Sequence, residues 1–265
     1  MRILVKVGGT LLDSHETQAG IARQLAAMAR QHELVVVHGG GKQVTRFLEA
    51  RGAQSRFVGG LRVSDATVID AVTKVIAGSV NKQLVSALIE AGEIAVGICG
   101  IDGNLTSVRP LSPELGFVGQ PETIDPRLFQ VLLGAGFLPV VACIAGDRQG
   151  IIYNVNADQM AVSCAAGWRA DRLIFLTDVP GVKDRDGRRI PELNSQEIGS
   201  LIQSGVAQGG MQAKLEAVLC ALRAGLAEAV IASGQEPDIC PRLLAGEALG
   251  TRLFSAPVPV EGIAR

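Results

Sequence analysis

Short runs of Val, Ile, Leu and Ala at residues 3–7, 34–37, 94–98, 138–142, 173–176 and 229–232 leave almost no polar position along six segments of the chain. A strand with one face in water alternates apolar and polar residues, so runs this uniform predict strands buried on both faces. Helix-like stretches at 21–30 and 84–90 lie between them. Asp125-Pro126 reads as a helix start, an N-cap followed by proline at the first helical position. Strand and helix therefore alternate, which predicts an α/β fold with a mainly parallel central sheet and helices on both sides. In such a sheet ligands sit beyond the carboxyl ends of the strands, so chemistry is expected there.

The length of 265 residues suits one large domain or two closely packed lobes, because a chain of this size buries roughly three quarters of its surface. No linker or fixed-period repeat divides it. The reading is a single body over 1–265 with approximate lobes 1–168 and 169–265. Aromatic residues are only 3%, which leaves the core to aliphatic side chains. With 25 Lys and Arg against 26 Asp and Glu the formal net charge is −1, which argues against a nucleic-acid partner and against a disordered chain. Cys99, Cys143, Cys164, Cys220 and Cys240 form no CxxC pair and read as reduced, buried thiols of a cytoplasmic protein. The start MRILVKVGG enters a strand directly and lacks a signal-peptide pattern, and no apolar run approaches the ~20 residues of a membrane span.

Lys6 interrupts the first apolar run near its carboxyl end. A buried ammonium is costly unless it is paired or meets an anion, and the bland alternative is a lysine snorkelling from an edge strand. Gly8 and Gly9, which follow, shift the balance toward an anion, since chain without side chains lets a phosphate approach backbone N–H groups. The second run ends in His38-Gly39-Gly40-Gly41-Lys42, a glycine turn opening a helix. It is not a P-loop, because Gln43 follows Lys42, and a GxGxxG pattern from Gly39 fails at Val44. Asn154-Val155-Asn156-Ala157-Asp158-Gln159 offers amides and a carboxylate, although a lone run of this kind is more often an Asx-type cap. Gly209-Gly210 opens a further helix and places Lys214 on its first turns, where a solvated lysine is the ordinary reading. Two lysines, two glycine turns and one aspartate together are the parts needed for phosphoryl transfer, where positioning and charge neutralisation do most of the catalysis.

An ordered set of motifs runs through nearly the whole chain: KVGG (6–9), VHGGG (37–41), GLRV (60–63), GSVNKQLV (78–85), GIDGNL (100–105), LGFVG (115–119), NVNADQ (154–159), LTDVPGV (176–182), GGMQAK (209–214) and GT (250–251). In these the chain resembles the amino acid kinase family and, within it, the N-acetylglutamate kinases of arginine biosynthesis. The resemblance implies an open three-layer αβα sandwich, an N-terminal lobe for the amino acid and a C-terminal lobe for ATP. The implied reaction moves the γ-phosphoryl group of MgATP onto the side-chain carboxylate of N-acetyl-L-glutamate, with Mg2+ carried by the nucleotide and no dedicated metal site. Lys6 and Lys214 match the lysines on the transferring group, and Asp158 matches the aspartate that orients them. Gly40, Gly41, Arg62 and Asn154 match the amino-acid site. Gly8 and Gly9 lie opposite that turn. Together with Asp178, Val179, Pro180, Gly181, Val182 and Lys183, and with Val206, Ala207 and Gln208, they match the ATP-binding segments.

Two departures stand out: Lys42 where the family often has proline, and Gly234-Gln235 where it commonly has Gly-Arg. The first strand begins right after Met1, which the resemblance reads as an arginine-insensitive homodimer without the N-terminal helix of hexameric members. Nothing in the residues supports a PII-type regulator as a further partner. The competing readings are a related kinase for another acylated amino acid, such as an aminoadipate derivative, and a nucleotide-binding regulatory module that has lost catalysis. Retention of Lys6, Asp158 and Lys214 argues against the second.

Overall fold

All six apolar runs become strands of one sheet in the computed structural model, which describes residues 1–255. In chain order the strands are β1 (Arg2–Val7), β2 (Glu33–His38), β3 (Phe57–Val58), β4 (Leu61–Arg62), β5 (Ala95–Cys99), β6 (Thr106–Pro110) and β7 (Val118–Ile124). They continue with β8 (Leu138–Ala142), β9 (Ile144–Gly146), β10 (Ile152–Val155), β11 (Arg172–Thr177), β12 (Glu192–Asn194), β13 (Glu228–Ser233) and β14 (Thr251–Phe254). The helices are α1 (His15–Ala29), α2 (Gly41–Glu49), α3 (Ala66–Val72), α4 (Asn81–Glu90), α5 (Arg127–Gly134), α6 (Ala157–Trp168), α7 (Ser195–Gln203), α8 (Gly209–Arg223) and α9 (Ile239–Leu244).

The central sheet has eight strands in the order β12-β14-β13-β11-β1-β2-β8-β5. The six strands from the apolar runs are mutually parallel, while β14 runs antiparallel to β13 and pairs in parallel with β12. Ile3, Leu4, Val5 and Val7 are all fully buried, as expected for a strand with helices above and below it. One helical layer packs α1 against α4 and α9, and the other packs α6 against α8 and α8 against α7, so the fold is the expected αβα sandwich. β1 is the point where the strand order turns: the chain goes on to β2 on one side, and β11 fills the other side much later. That reversal opens a crevice at the carboxyl ends.

Two features were not expected. β6, β7, β9 and β10 close into a small barrel, and β9 follows β8 after one residue, so the barrel stands on the carboxyl end of the sheet. β3 and β4 form a hairpin turning at Gly59 and Gly60, whose φ angles of 55° and 78° suit the two-residue turn that matches strand twist. The helix expected at Asp125-Pro126 begins one residue later, with Pro126 as the cap residue and Asp125 Oδ1 accepting the Arg127 N–H at 3.1 Å. All five cysteines are free, but Cys220 is exposed and Cys99 only partly buried, correcting the expectation that all are buried. Among the described residues no helix is long and apolar enough to cross a membrane.

A polar stitch crosses one face of the sheet. Asn81 Nδ2 donates to the Val140 carbonyl of β8 at 3.0 Å, and Lys82 Nζ donates to the Gly97 carbonyl of β5 at 3.1 Å. Position 97 must lack a side chain, because a Cβ there would stand 1.9 Å from Asn81 Oδ1. The same Asn81 amide meets His38, fully buried at the end of β2, and burial, aided by the charges of Lys6 and Lys82, pushes that imidazole from its ordinary 6.5 down to about 4. A histidine that stays neutral when folded and is free to protonate when unfolded stabilises the fold above pH 6.5 and loses that contribution as pH falls toward 4. The expected loss is about 3 kcal/mol over that window. Urea unfolding at pH 7 and pH 4.5 checks it against His38→Asn, which should lack this part of the slope; equal slopes would exclude it.

Candidate active site

Lys6 projects from β1 and Lys214 from the second turn of α8, and both reach one carboxylate. That carboxylate, Asp158, sits on the first turn of α6, where Asn156 is the cap: its Oδ1 accepts the N–H groups of Asp158 at 2.9 Å and Gln159 at 3.2 Å. Lys6 Nζ lies 2.9 Å from Asp158 Oδ1, and Lys214 Nζ lies 2.6 Å from Oδ2. The side chains of Lys6, Asp158 and Lys214 are only 12%, 15% and 9% exposed, so one excess positive charge is held out of bulk water. Burial alone would raise the Asp158 carboxyl, but the two ammonium groups outweigh it and hold the group at about 2. Lys214 is pushed down by burial and then by the charge of Lys6, against the pull of Asp158, and its Nζ stands 4.8 Å from the ring centre of Phe175. An unbalanced cation pair in a poorly solvated place is suited to an incoming anion.

Beside this group lies a cavity of about 220 Å³ lined by Lys6, Gly9, Gly40, Gly41, Arg62 and Asn154 among others. Its floor is two facing glycine turns, so close that a Cβ on Gly9 would stand 3.5 Å from Gly40 N, and one on Gly40 would stand 3.2 Å from Ile76 Cγ1. The first amides of α2 have no intrahelical acceptors, and Gly41, where that helix begins, lines this space. Arg62 comes in on the β3–β4 hairpin. Its Nη2 donates to the Gly41 carbonyl at 2.7 Å and to Thr45 Oγ1 at 2.8 Å, Nη1 donates to Ser55 Oγ, and the guanidinium stacks over Phe57 at 4.8 Å. Burial lowers its pKa from the usual value. Asn154 on β10 donates to Ser64 Oγ at 3.2 Å, and Ser64 in turn donates to the Arg62 carbonyl at 3.0 Å, so the two amino-acid candidates are joined through a buried serine.

The nucleotide candidates lie elsewhere. Asp178 follows β11, is exposed, and is near enough for its charge to raise Lys214. Pro180 and Lys183 are exposed and Val179 is partly buried, whereas Gly181 and Val182 are buried and the Val182 N–H is already bonded to Thr251 Oγ1 at 2.9 Å. Ala207 is buried, Val206 partly so, and Gln208 is exposed at the start of α8 with Nε2 donating to the Gly205 carbonyl at 2.8 Å. None of 178–183 or 206–208 lines the cavity of Lys6 and Arg62, and neither does Gly8, which is buried. Sequence reasoning missed Gln43, whose Nε2 donates to the Gly9 carbonyl at 3.0 Å and to Asp13 Oδ1 at 2.9 Å, tying the two glycine turns together. It also missed Thr45, Ser55, Phe57 and Ser64. For Gln43 a signal existed, an amide on the first turn of a helix opened by three glycines; the others become visible only when the hairpin folds over α2.

The layered fold and the two lysines sharing one aspartate at its carboxyl edge define a phosphotransferase. The chain belongs to the amino acid kinase family, whose model matches residues 1–233. The acetylglutamate kinase of Solibacter usitatus (strain Ellin6076) is 54% identical over 257 residues, which cover 97% of this chain and 100% of that relative. The acetylglutamate kinase of Acidobacterium capsulatum is 41% identical over 260 residues, 97% of this chain and 100% of its own length. Among solved structures, N-acetylglutamate synthase from Neisseria gonorrhoeae, complexed with coenzyme A and N-acetyl-glutamate, superposes with a TM-score of 0.83 at 23% identity. That match covers 97% of this chain and 60% of the synthase. Carbamate kinase from Giardia lamblia bound to AMP-PNP superposes with a TM-score of 0.72 at 16% identity, over 96% of this chain and 98% of that one. At these identities the two structures speak for the fold alone.

Proposed function

We propose that the protein is an ATP-dependent kinase that phosphorylates the side-chain carboxylate of N-acetyl-L-glutamate, giving N-acetyl-L-glutamyl 5-phosphate for arginine biosynthesis. The observation that carries the chemistry is the Lys6–Asp158–Lys214 group beside a cavity that also presents Arg62 and Asn154. A carboxylate oxygen of the substrate attacks the γ-phosphorus of ATP, the bond from that phosphorus to the bridging oxygen breaks, and ADP leaves with the electron pair. The attacking carboxylate is already ionised, so no base is needed. Lys6 and Lys214 neutralise charge on the transferring group, where it is spread over several oxygens. Asp158, held at about 2, stays ionised through neutral pH and orients both lysines. The triphosphate offers the hard oxygens Mg2+ prefers, so Mg2+ enters here as MgATP and adds charge neutralisation.

In this reading residues 1–168 hold the amino acid and residues 169–265 hold ATP, an arrangement supported by the cavity lining and by Asp178 standing near Lys214. The location is cytoplasmic and the assembly a homodimer. Arg62 grips a substrate carboxylate while also holding the Gly41 carbonyl, which links recognition to the glycine turn. Arg62→Lys is therefore expected to raise the KM for N-acetylglutamate by roughly tenfold or more with little change for ATP, since an ammonium cannot reproduce a planar fork. An unchanged KM would remove Arg62 from the amino-acid site. An ADP-release assay offering N-acetylglutamate, glutamate, aspartate and an acylated aminoadipate tests the whole assignment. Turnover led by N-acetylglutamate is expected; preference for the aminoadipate derivative, or ATP binding without turnover, would replace it.

A further inference from the structure

His38 and Asn81 stand in the motifs VHGGG and GSVNKQLV, and the reaction above leaves both residues without a task. Both are buried, and their hydrogen bonds admit a single arrangement of protons. The Val140 carbonyl can only accept, so the group 3.0 Å from it must be the Asn81 amide nitrogen. Asn81 Oδ1 correspondingly faces Lys82 Nζ at 3.1 Å. The same Asn81 nitrogen lies 3.0 Å from His38 Nε2, which must therefore accept. His38 Nδ1 lies 2.8 Å from the Gly39 carbonyl, another group that can only accept, so Nδ1 carries the proton. A second proton on Nε2 would face the N–H2 of Asn81, and the imidazole is held neutral by burial, its pKa lying at about 4.

The Gly39 carbonyl and the Gly40 N–H belong to one planar trans peptide and point in opposite directions. Fixing the oxygen therefore fixes the amide. Three consecutive glycines have no side chains to restrict such a peptide from flipping, and Gly40 N is the group that stands against Gly9 across the cavity floor.

We propose that His38 is a positioning residue for phosphoryl transfer: as the Nδ1–H tautomer, set by Asn81, it holds the Gly39 carbonyl so that the Gly40 amide faces the transferring phosphoryl group. The assignment rests on the kinase reading above, and two measurements keep them separate. Two-bond ¹H–¹⁵N spectroscopy of the wild-type protein reads the protonated ring nitrogen with no substrate present. The Nε2–H tautomer for His38 would overturn the inference whatever the activity, while absent turnover in the wild-type protein would overturn only the reading of the site.

The second measurement is a pair of variants. In His38→Asn the side-chain amide can occupy the place of Nδ1 and keep the bond to Gly39; in His38→Gln it reaches toward Asn81 instead. His38→Asn is expected to keep kcat within about threefold, and His38→Gln to lose roughly 10- to 100-fold in kcat, with the KM for N-acetylglutamate little changed in both, because a misdirected oxyanion donor is felt in the transition state. A purely structural role would lower the melting temperature of both and leave kcat intact below it, and equal losses in the two variants would also overturn the proposal. Should His38→Gln not fold, Asn81→Ser decides: a several-fold loss of kcat at constant KM supports the assignment, and full kcat refutes it.

Discussion

Lys214→Ala is expected to lower kcat by roughly 10²- to 10³-fold while the KM for N-acetylglutamate stays within about threefold. Lys214 reaches the site through Asp158 and does not line the cavity of Arg62 and Asn154, so in the proposed reaction its charge serves the phosphoryl group rather than the amino acid. Removing it leaves Asp158 still paired with Lys6 at 2.9 Å, so the loss should be catalytic more than structural. Steady-state kinetics beside a thermal melt decide the matter. A large rise in KM with kcat preserved would place Lys214 in binding instead.

Asp158→Asn should have the larger structural effect. It leaves two buried ammonium groups facing each other without their counter-ion, and breaking a buried pair in this way costs about 3–5 kcal/mol. The pH profile gives a more specific sign. In the native protein burial and Lys6 already lower the pKa of Lys214, and Asp158 is the first influence that raises it. Without that carboxylate Lys214 releases its proton at lower pH. The kcat of the variant is then expected to fall as pH rises through a range in which the native enzyme is flat, because the charged form is lost on the alkaline side. A variant whose profile runs parallel to the native one would show that Asp158 does not set the charge of Lys214.

The parallel core was legible in the sequence because its strands are buried on both faces and lack polar alternation, as the run at 3–7 shows. The same criterion overlooked the barrel. β9 has three residues and β10 four, and β6 and β7 mix exposed with buried positions, so none presents a continuous apolar run. β12 and β14, short strands added at one end of the sheet, were missed for the same reason. In the site, Asn154, Asn156 and Asp158 look alike in sequence. The fold divides them by alternation and capping into a cavity-facing amide, a helix cap and a counter-ion, so the ordinary capping role expected of the cluster belongs to Asn156. The carboxylate shared by Lys6 and Lys214 could be named from the family's pattern, but its geometry depends on α6 packing against α8, which no local pattern encodes. The contact made by His38 was hidden for a related reason: it falls on a carbonyl of a glycine turn, and backbone carbonyls leave no mark in a sequence.

The place of β1 between β2 and β11 also shapes how the chain must be made. On a ribosome β1 can pair with β2 as soon as residue 38 has emerged, but the partner for its other edge, Arg172–Thr177, is synthesised far later. For that interval an almost wholly apolar strand presents an open row of N–H and C=O groups, the kind of edge that recruits strands from other chains. The one charge it carries inside its apolar run is Lys6, whose Asp158 counter-ion is itself not yet made. An ammonium at that position discourages pairing between nascent copies. The residue proposed above to neutralise a phosphoryl group is thus also the one charge within the apolar run while the sheet is unfinished.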